Sequence, residues 1–158
     1  MSHDTGPGKG TEVMYSRILI AYDGKAESEP VLRHGVGLAA ALNAQVILVG
    51  VVTDDTRVMI AEAMAPMGLP DRFAEEFRDV LEAEAEAIRK AGVEVEVHCA
   101  HGEPAKAICY AAGETKADLV VIGHHERVGM QHYFDRSAGH SIFDQMPCNL
   151  LVVGTETE

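Results

Sequence analysis

Short apolar segments alternate along this chain with segments of helical character, and this alternation constrains the fold more than any other feature. The segments typical of strands are residues 17–22, 45–52, 93–98, 117–123 and 149–153. A helix is predicted between each pair of neighbours, from apolar periodicity or from start signals. Strands of one sheet that are joined by helices run parallel. The pattern therefore predicts an α/β fold: a doubly wound, open, five-stranded parallel sheet in the order 3-2-1-4-5, with helices on both faces.

Ordinary start and stop signals mark the predicted helices, which begin near residues 28, 73, 104 and 137. Gly92 is expected to end the second helix. Gly35 and Gly37 weaken the first helix, and we expect them to permit close packing on the sheet. The alternating glutamates at 82–86 predict a solvated helix face.

Length and composition favour one domain. A chain of 158 residues suffices for a single substantial core. Residues 1–15 are polar and rich in glycine and proline, so we predict a flexible tail there and one domain over residues 16–158. The formal net charge of −12 would repel nucleic acid and anionic membranes, and we expect neither as a partner. The three widely spaced cysteines, the polar start of the chain and its short apolar runs predict a cytoplasmic protein with reduced thiols.

The predicted strand order creates a crevice between strands one and four. Open α/β sheets bind ligands where the strand order reverses, outside the carboxyl ends of the strands. Asp23 follows the first predicted strand and Gly123 ends the fourth. Two segments that are distant in sequence are therefore expected to meet at one site. The polar loop after Gly123 and a helix start near Ser137 complete an arrangement that commonly binds anions.

The segment over residues 121–153 resembles the carboxyl-terminal signature of the universal stress protein family. Nucleotide-binding members of that family carry Gly-x-x-Gly, nine further residues, then Gly-Ser or Gly-Thr, and later a strand introduced by Pro-Cys-Pro. The matching residues here are Gly123, His125, Arg127, Gly129, Ser137, Pro147 and Cys148. Residues 18–24 resemble the family's first strand with its aspartate. The resemblance covers residues 16–153, which is nearly the whole chain.

Two glycines of the family motif are replaced in this chain. Glu126 stands at the second glycine position and Arg136 at the third. Glycine lets backbone N–H groups approach a phosphate without an intervening Cβ atom, whereas Glu126 adds a side chain and a negative charge beside a polyanion. Such a like-charge contact costs several kcal/mol. We therefore predict that Glu126 and Arg136 form an ion pair that blocks the triphosphate site, which leaves Ser137 chiefly as a helix N-cap.

The resemblance also implies where a nucleotide would be held. In ATP-binding members the first-strand aspartate contacts the ribose or base, and backbone at the end of the second strand contacts adenine. These contacts correspond to Asp23 and Val51. If a nucleotide binds, the remaining candidate cofactor-binding residues are Gly123, His125, Arg127 and Ser137. An opposing interpretation stays open, in which Arg127 and Arg136 clamp the phosphates.

The favoured prediction is a stress-responsive binding or regulatory protein of this type, without catalytic turnover or a cofactor, that binds ATP weakly or not at all. The main alternative is a stress sensor that binds ATP or AMP with magnesium and hydrolyses it slowly or not at all. The sequence contains neither a Gly-x-Ser-x-Gly elbow nor a Gly-x-x-x-x-Gly-Lys-Ser/Thr phosphate loop. We therefore expect no enzyme, although a weak ATPase stays open.

A metal-dependent enzyme is a further hypothesis. Its candidate ligands are His98, Cys99, His101, His124 and His125. Strand alternation directs His98 and Cys99 to opposite faces of the sheet, so these residues are expected to hold no metal.

The last predicted strand, from Asn149 to Val153, is apolar and is expected at the sheet edge. An exposed apolar edge favours pairing with another chain. The resemblance implies a homodimer through this strand. The sequence names no protein client.

Overall fold

The computed structural model describes residues 14–52, 72–124 and 142–154. The strands in these ranges are β1 (Arg17–Ala21), β2 (Gln45–Val52), β3 (Val95–His101), β4 (Leu119–His124) and β5 (Asn149–Gly154). The helices are α1 (Glu29–Leu42), α2 (Arg72–Lys90), α3 (Pro104–Glu114) and the one-turn α4 (Ile142–Gln145). A 3₁₀ turn over Ala26–Ser28 precedes α1.

The strands form one parallel sheet in the order β3-β2-β1-β4-β5, which confirms the predicted fold class and strand order. The central strand is β1, where Ile18 lies opposite Val46 of β2 and Leu119 of β4. Because β1, β2 and β4 are covered on both faces, their side chains are apolar almost throughout.

Two buried clusters pack on the two faces of the sheet. The first joins the sheet to α1 and α2 and contains Ile18, Ile20, Leu48, Val31 and Leu81. The second joins the sheet to α3 and α4 and contains Leu19, Ile47, Val120, Ile108 and Ile142. Each fully buried aliphatic side chain contributes about 1.5–3 kcal/mol to folding. Helices on both faces are thereby confirmed.

One glycine of α1 permits close packing and the other does not. A Cβ atom at Gly35 would lie 2.7 Å from Cγ1 of Ile20, inside van der Waals contact. A Cβ atom at Gly37 would meet nothing within 4 Å. The expectation of close packing therefore holds for Gly35 and is wrong for Gly37.

The boundaries of α1, α2 and α3 follow the sequence signals closely, whereas β3 differs from its prediction. The helix start predicted near Ser137 lies outside the described residues. Gly92 follows the end of α2 with φ +92°, a left-handed conformation that favours glycine. The third strand was predicted over residues 93–98 but spans Val95–His101. It extends further because Cys99 to His101 pair in register with residues 50–52 of β2, a tertiary pairing that local alternation does not reveal.

The start of the described chain packs on the domain. Tyr15 packs against the first cluster, and its hydroxyl accepts a hydrogen bond from Nδ2 of Asn149 at 3.1 Å. The predicted tail over residues 1–15 lies mostly outside the described residues, and the domain boundary stays a prediction. None of the described helices has the length and apolar character needed to cross a membrane.

Candidate functional site

The carboxyl ends of β1 and β4 open at the same edge of the sheet, here called the carboxyl edge. These two strands pair directly, with Ile20 opposite Val121. From this point β2 and β3 lie to one side and β5 to the other. Asp23 follows β1 by two residues, and Gly123 is the penultimate residue of β4. The strand pairing therefore brings the segments that carry Asp23 and Gly123 to one crevice.

Asp23 presents a carboxylate at this crevice. Its side chain is exposed, and its Oδ1 atom accepts a hydrogen bond from the backbone N–H of Lys25 at 2.9 Å. Gly24 lies between them with φ +79°, so the chain turns sharply here. Within the described part of the chain, Oδ2 receives no hydrogen bond. The turn thus fixes the carboxylate while leaving one oxygen able to accept a hydroxyl from a ligand.

Small aliphatic residues form a floor beside Asp23 on the face of the second cluster. Ala21, Val51 and Ala100 pack against that cluster but are only half-buried. Val51 pairs in register with Ala100, so the floor extends across β2 and β3. A flat apolar floor next to a hydrogen-bond acceptor has the chemistry to hold a nucleoside. Gly123, also half-buried, borders the same edge.

On the other face of the sheet, that of the first cluster, Phe77 of α2 packs at the carboxyl edge. A Cβ atom at Gly50 would collide with the Phe77 ring and would lie 2.6 Å from Cδ1 of Leu81. A Cβ atom at Gly24 would lie 3.5 Å from the same ring. Gly50 therefore lets α2 approach closely, whereas a Cβ atom at Gly24 would make an ordinary van der Waals contact. Among the described residues, Phe77 and Leu81 occupy the space against Gly50 on that face.

The carboxyl edge is acidic. The Tyr22 side chain is buried, and burial is the main cause of a pKa above its usual value of 10.0. The carboxylates of Glu84, Asp23 and Glu29 raise this pKa further, in that order, because a phenolate would be repelled by them. Three negative charges therefore act on the point where the first strand ends.

Glu84 is more buried than the alternating glutamate pattern predicted. The alternating glutamates were predicted to share a solvated face, yet Glu84 is half-buried whereas Glu82 and Glu86 are exposed. Residues two apart in a helix are separated by about 200°, so Glu84 cannot point the same way as its neighbours. A helical projection would have given this signal, and the prediction of a wholly solvated face was wrong.

Five sequence-predicted site residues lie outside the described residues: His125, Glu126, Arg127, Arg136 and Ser137. The ion pair between Glu126 and Arg136 therefore stays a prediction. Of the predicted nucleotide contacts, the structure places Asp23, Val51 and Gly123 along one edge of the sheet.

The candidate metal ligands His98 and Cys99 of β3 lie on opposite faces of the sheet. Nε2 of His98 lies 2.6 Å from Oε1 of Glu96, whereas Cys99 packs against the first cluster on the other face. Across residues 14–52, 72–124 and 142–154, no group of three or more histidine, cysteine, aspartate or glutamate side chains could hold a metal ion. The side chains of His124 and His125 lie outside the described set.

The cysteines are free thiols, and burial raises the pKa of each. The effect is largest for Cys109, whose pKa rises to about 11 with a further contribution from nearby Cys148. Its Sγ atom lies 3.8 Å from the carbonyl oxygen of Ile142, to which the thiol donates. A thiol that keeps its proton at neutral pH is a poor nucleophile and a poor metal ligand.

The comparisons with known proteins agree with this geometry. Residues 14–154 match the model of the universal stress protein family. The Bacillus subtilis (strain 168) universal stress protein YxiE is 27% identical over 148 residues, covering 89% of this chain and 99% of that protein. The structure of the hypothetical protein MJ0577 superposes with a TM-score of 0.69 at 20% identity, covering 92% of this chain and 99% of that one.

Two further solved structures of similar fold contain nucleotides. A universal stress protein in complex with cAMP has a TM-score of 0.60 at 19% identity and covers 90% of this chain and 98% of its own. The Archaeoglobus fulgidus universal stress protein in complex with dAMP has a TM-score of 0.55 at 24% identity, covering 88% of this chain and 98% of its own. With the sheet order and the match over residues 14–154, the conclusion is direct: this chain belongs to the universal stress protein family.

Proposed function

We propose that this protein is a stress-responsive binding and regulatory protein without catalytic turnover, which acts in the cytoplasm as a homodimer and binds MgATP weakly or not at all. The observation that supports weak triphosphate binding is the exposed carboxylate of Asp23 at the crevice, and Glu29 and Glu84 add negative charge near the end of β1. A like-charge pair about 8 Å apart costs roughly 2 kcal/mol at an effective dielectric constant near 20. A triphosphate would meet several such charges.

The sequence after β4 adds to this repulsion. Glu126 replaces a glycine at a position where family members bring backbone N–H groups to phosphate. Arg136 can neutralise Glu126 but also removes a second glycine. The proposal therefore has two supports, the Asp23 carboxylate at the crevice and the composition of the segment after β4.

A sensor of adenine nucleotides is the second candidate function, and a specific observation favours it. Similar folds are known in complex with cAMP and dAMP, each with a single phosphate. Asp23 and the floor around Val51 have the chemistry to hold a nucleoside, and one phosphate meets less repulsion than three. Under this alternative the protein would bind AMP or ATP and hydrolyse ATP slowly or not at all.

Isothermal titration calorimetry of the whole chain with MgATP, AMP and cAMP tests the proposal. We expect dissociation constants for MgATP above the micromolar range, and no ATP turnover above the buffer rate. Sub-micromolar MgATP binding would refute the first candidate. Tight binding of AMP or cAMP with weak MgATP binding would establish the second candidate instead.

Two variants and a control separate the sources of repulsion. Asp23→Asn keeps an acceptor oxygen but removes the charge at the crevice, so it should raise MgATP affinity several-fold. Glu114→Gln, which removes the same charge near the opposite edge, should leave the affinity unchanged. The double variant Glu126→Gly with Arg136→Gly should raise the affinity by more than tenfold if these side chains block the phosphate site. Unchanged affinity in both cases would show that repulsion and blocking do not limit binding.

A further inference from the structure

We propose that the outer edge of β3 and the groove between β3 and α3 bind an extended peptide of a partner protein. The peptide would add a strand to β3, pack an apolar side chain beside Tyr110 and place an acidic side chain near Lys106. This surface, called the β3–α3 groove, shares Ala100 with the floor beside Asp23 but runs away from it along the outer side of β3.

Within the described part of the chain, the backbone of β3 presents groups on its outer side that no other strand pairs with. The Glu94 carbonyl accepts a hydrogen bond from Val46, and the Gly102 N–H donates to the carbonyl of Val52. In a parallel ladder with this register, the even-numbered residues of β3 therefore bond to β2. The odd-numbered residues Val97, Cys99 and His101 point their N–H and C=O groups outward. No other described strand pairs with that side of β3.

The free edge is short. The carbonyl of Val95 already accepts a hydrogen bond from Nη2 of Arg89 at 2.9 Å, so the side chain of α2 closes the amino end of the edge. Open backbone groups remain over Val97–His101, a stretch of five residues. The outward N–H and C=O groups of β3 repeat every two residues, which is about 6.6 Å along the strand. Only another extended backbone offers acceptors and donors with the same repeat.

The side-chain groove beside this edge has the size of a ligand site. Its volume is about 590 Å³, and its lining includes Ala100, His101, Lys106, Ala107, Tyr110 and Glu114. Tyr110 is 71% exposed although it is a large ring on a packed helix. Small residues on both walls (Ala100 and Ala107) leave room beside that ring. An apolar side chain of an added strand would fill this space and cover the ring.

Charge in the groove selects the sequence of the peptide. Lys106 and His101 lie at the end where β3 turns into α3, and Glu114 lies at the other end. The Lys106 ammonium is 3.3 Å from Glu103, on an exposed surface where water screens the pair. Tyr110 lies four residues after Lys106 in α3, a rise of about 6 Å along the helix axis. Two residues of an extended strand cover about the same distance. The matching peptide therefore carries an apolar residue and an aspartate or glutamate two positions apart.

A second copy of this chain fits the edge poorly. The free stretch spans only five residues, Val97–His101, and in a second copy this stretch carries no acidic side chain to place near Lys106. Exposed charged groups on an edge strand resist pairing between identical chains while accepting a complementary segment. A partner peptide is therefore the occupant that the charges favour.

Amide hydrogen exchange of the whole protein, followed by NMR, tests the free edge first. The amides of Val97, Cys99 and His101 should exchange at least tenfold faster than those of His98 and Ala100. Protected outward amides would mean that another segment or copy already covers the edge, which would overturn the proposal.

Selection from a phage-displayed library of random decapeptides tests the ligand. We expect peptides with the apolar-x-acidic spacing, micromolar dissociation constants by fluorescence anisotropy, and chemical-shift changes confined to β3 and α3. Tyr110→Ala and Lys106→Glu should each weaken binding at least fivefold. The matched controls Val80→Ala and Lys90→Glu, on exposed positions of α2, should not.

Removing a single outward N–H group isolates the backbone contribution. His101→Pro should weaken peptide binding beyond the effect of His101→Ala, since proline removes the donor and an edge strand tolerates it there. Equal binding by the two variants would overturn strand addition. The absence of enriched peptides, or shift changes on another surface, would overturn the proposal as a whole.

Discussion

The carboxylate of Asp118 binds Ser16 across the amino end of the sheet, joining residues that are 102 positions apart in sequence. Its Oδ2 atom accepts hydrogen bonds from the backbone N–H of Ser16 at 2.8 Å and from its hydroxyl at 2.9 Å. Its Oδ1 atom accepts a third from the N–H of Arg17 at 3.1 Å. One side chain thereby links the residues that precede β4 to the start of β1, and it helps to set the register of these two strands. The other ends of the same strands form the crevice.

Loss of this carboxylate should therefore destabilise the fold. We expect Asp118→Ala to lower the free energy of unfolding by about 2 kcal/mol, because three backbone and hydroxyl donors lose a charged acceptor. Urea denaturation measures the change. Asp79→Ala, at an exposed position of α2, should shift stability by no more than about 0.5 kcal/mol. Equal effects of the two substitutions would contradict the role of Asp118.

The two glycines of α1 should respond in opposite directions to alanine. Gly35→Ala should lower the free energy of unfolding by about 1–3 kcal/mol, since its Cβ atom would overlap Ile20 in the core. Gly37→Ala should raise it by up to about 1 kcal/mol, because the methyl group enters open space and restricts the unfolded chain. Thermal and urea unfolding of the pair provide the measurement, and each variant serves as the control for the other.

The sequence predicted the architecture well because β1, β2 and β4 are apolar on both faces and helical segments separate them. The site was predictable only as far as topology reaches. The positions of Asp23 and Gly123 follow from strand order alone. The acidic surroundings of Tyr22 and the groove beside Tyr110 depend on how α2 and α3 dock on the sheet, and the position of each helix along the sheet is not encoded in local periodicity.

The buried thiol of Cys109 should make stability fall in alkaline solution. Its pKa is about 11 in the folded protein against 9.0 for an ordinary thiol, so the folded state holds the proton more tightly. This contribution is complete below pH 9 and is lost as pH rises toward 11, a change of about 2 kcal/mol. Urea denaturation from pH 8 to 11 should show a steeper decline for the native sequence than for Cys109→Ala. Parallel declines would contradict the assignment.

The two edges of the sheet differ in a way that supports a dimer through β5. On β3, Glu96 and His98 lie along the edge and Arg89 closes one end. On β5, Leu151 and Val152 are 38% and 37% exposed. Apolar side chains on an unpaired edge favour association with another chain. We therefore expect sedimentation velocity to give twice the 17.0 kDa mass of the single chain at micromolar concentration.

Charge placed on β5 should dissociate this dimer. Leu151→Lys combined with Val152→Lys should give a monomer that keeps its circular dichroism spectrum, because two lysines on each edge repel one another and expose no new core surface. Val80→Lys, at an apolar position of α2 that is 44% exposed, should remain dimeric. A native protein that sediments as a monomer would refute dimerisation. A dimer that survives the double substitution but dissociates with Val80→Lys would place the interface on α2 instead.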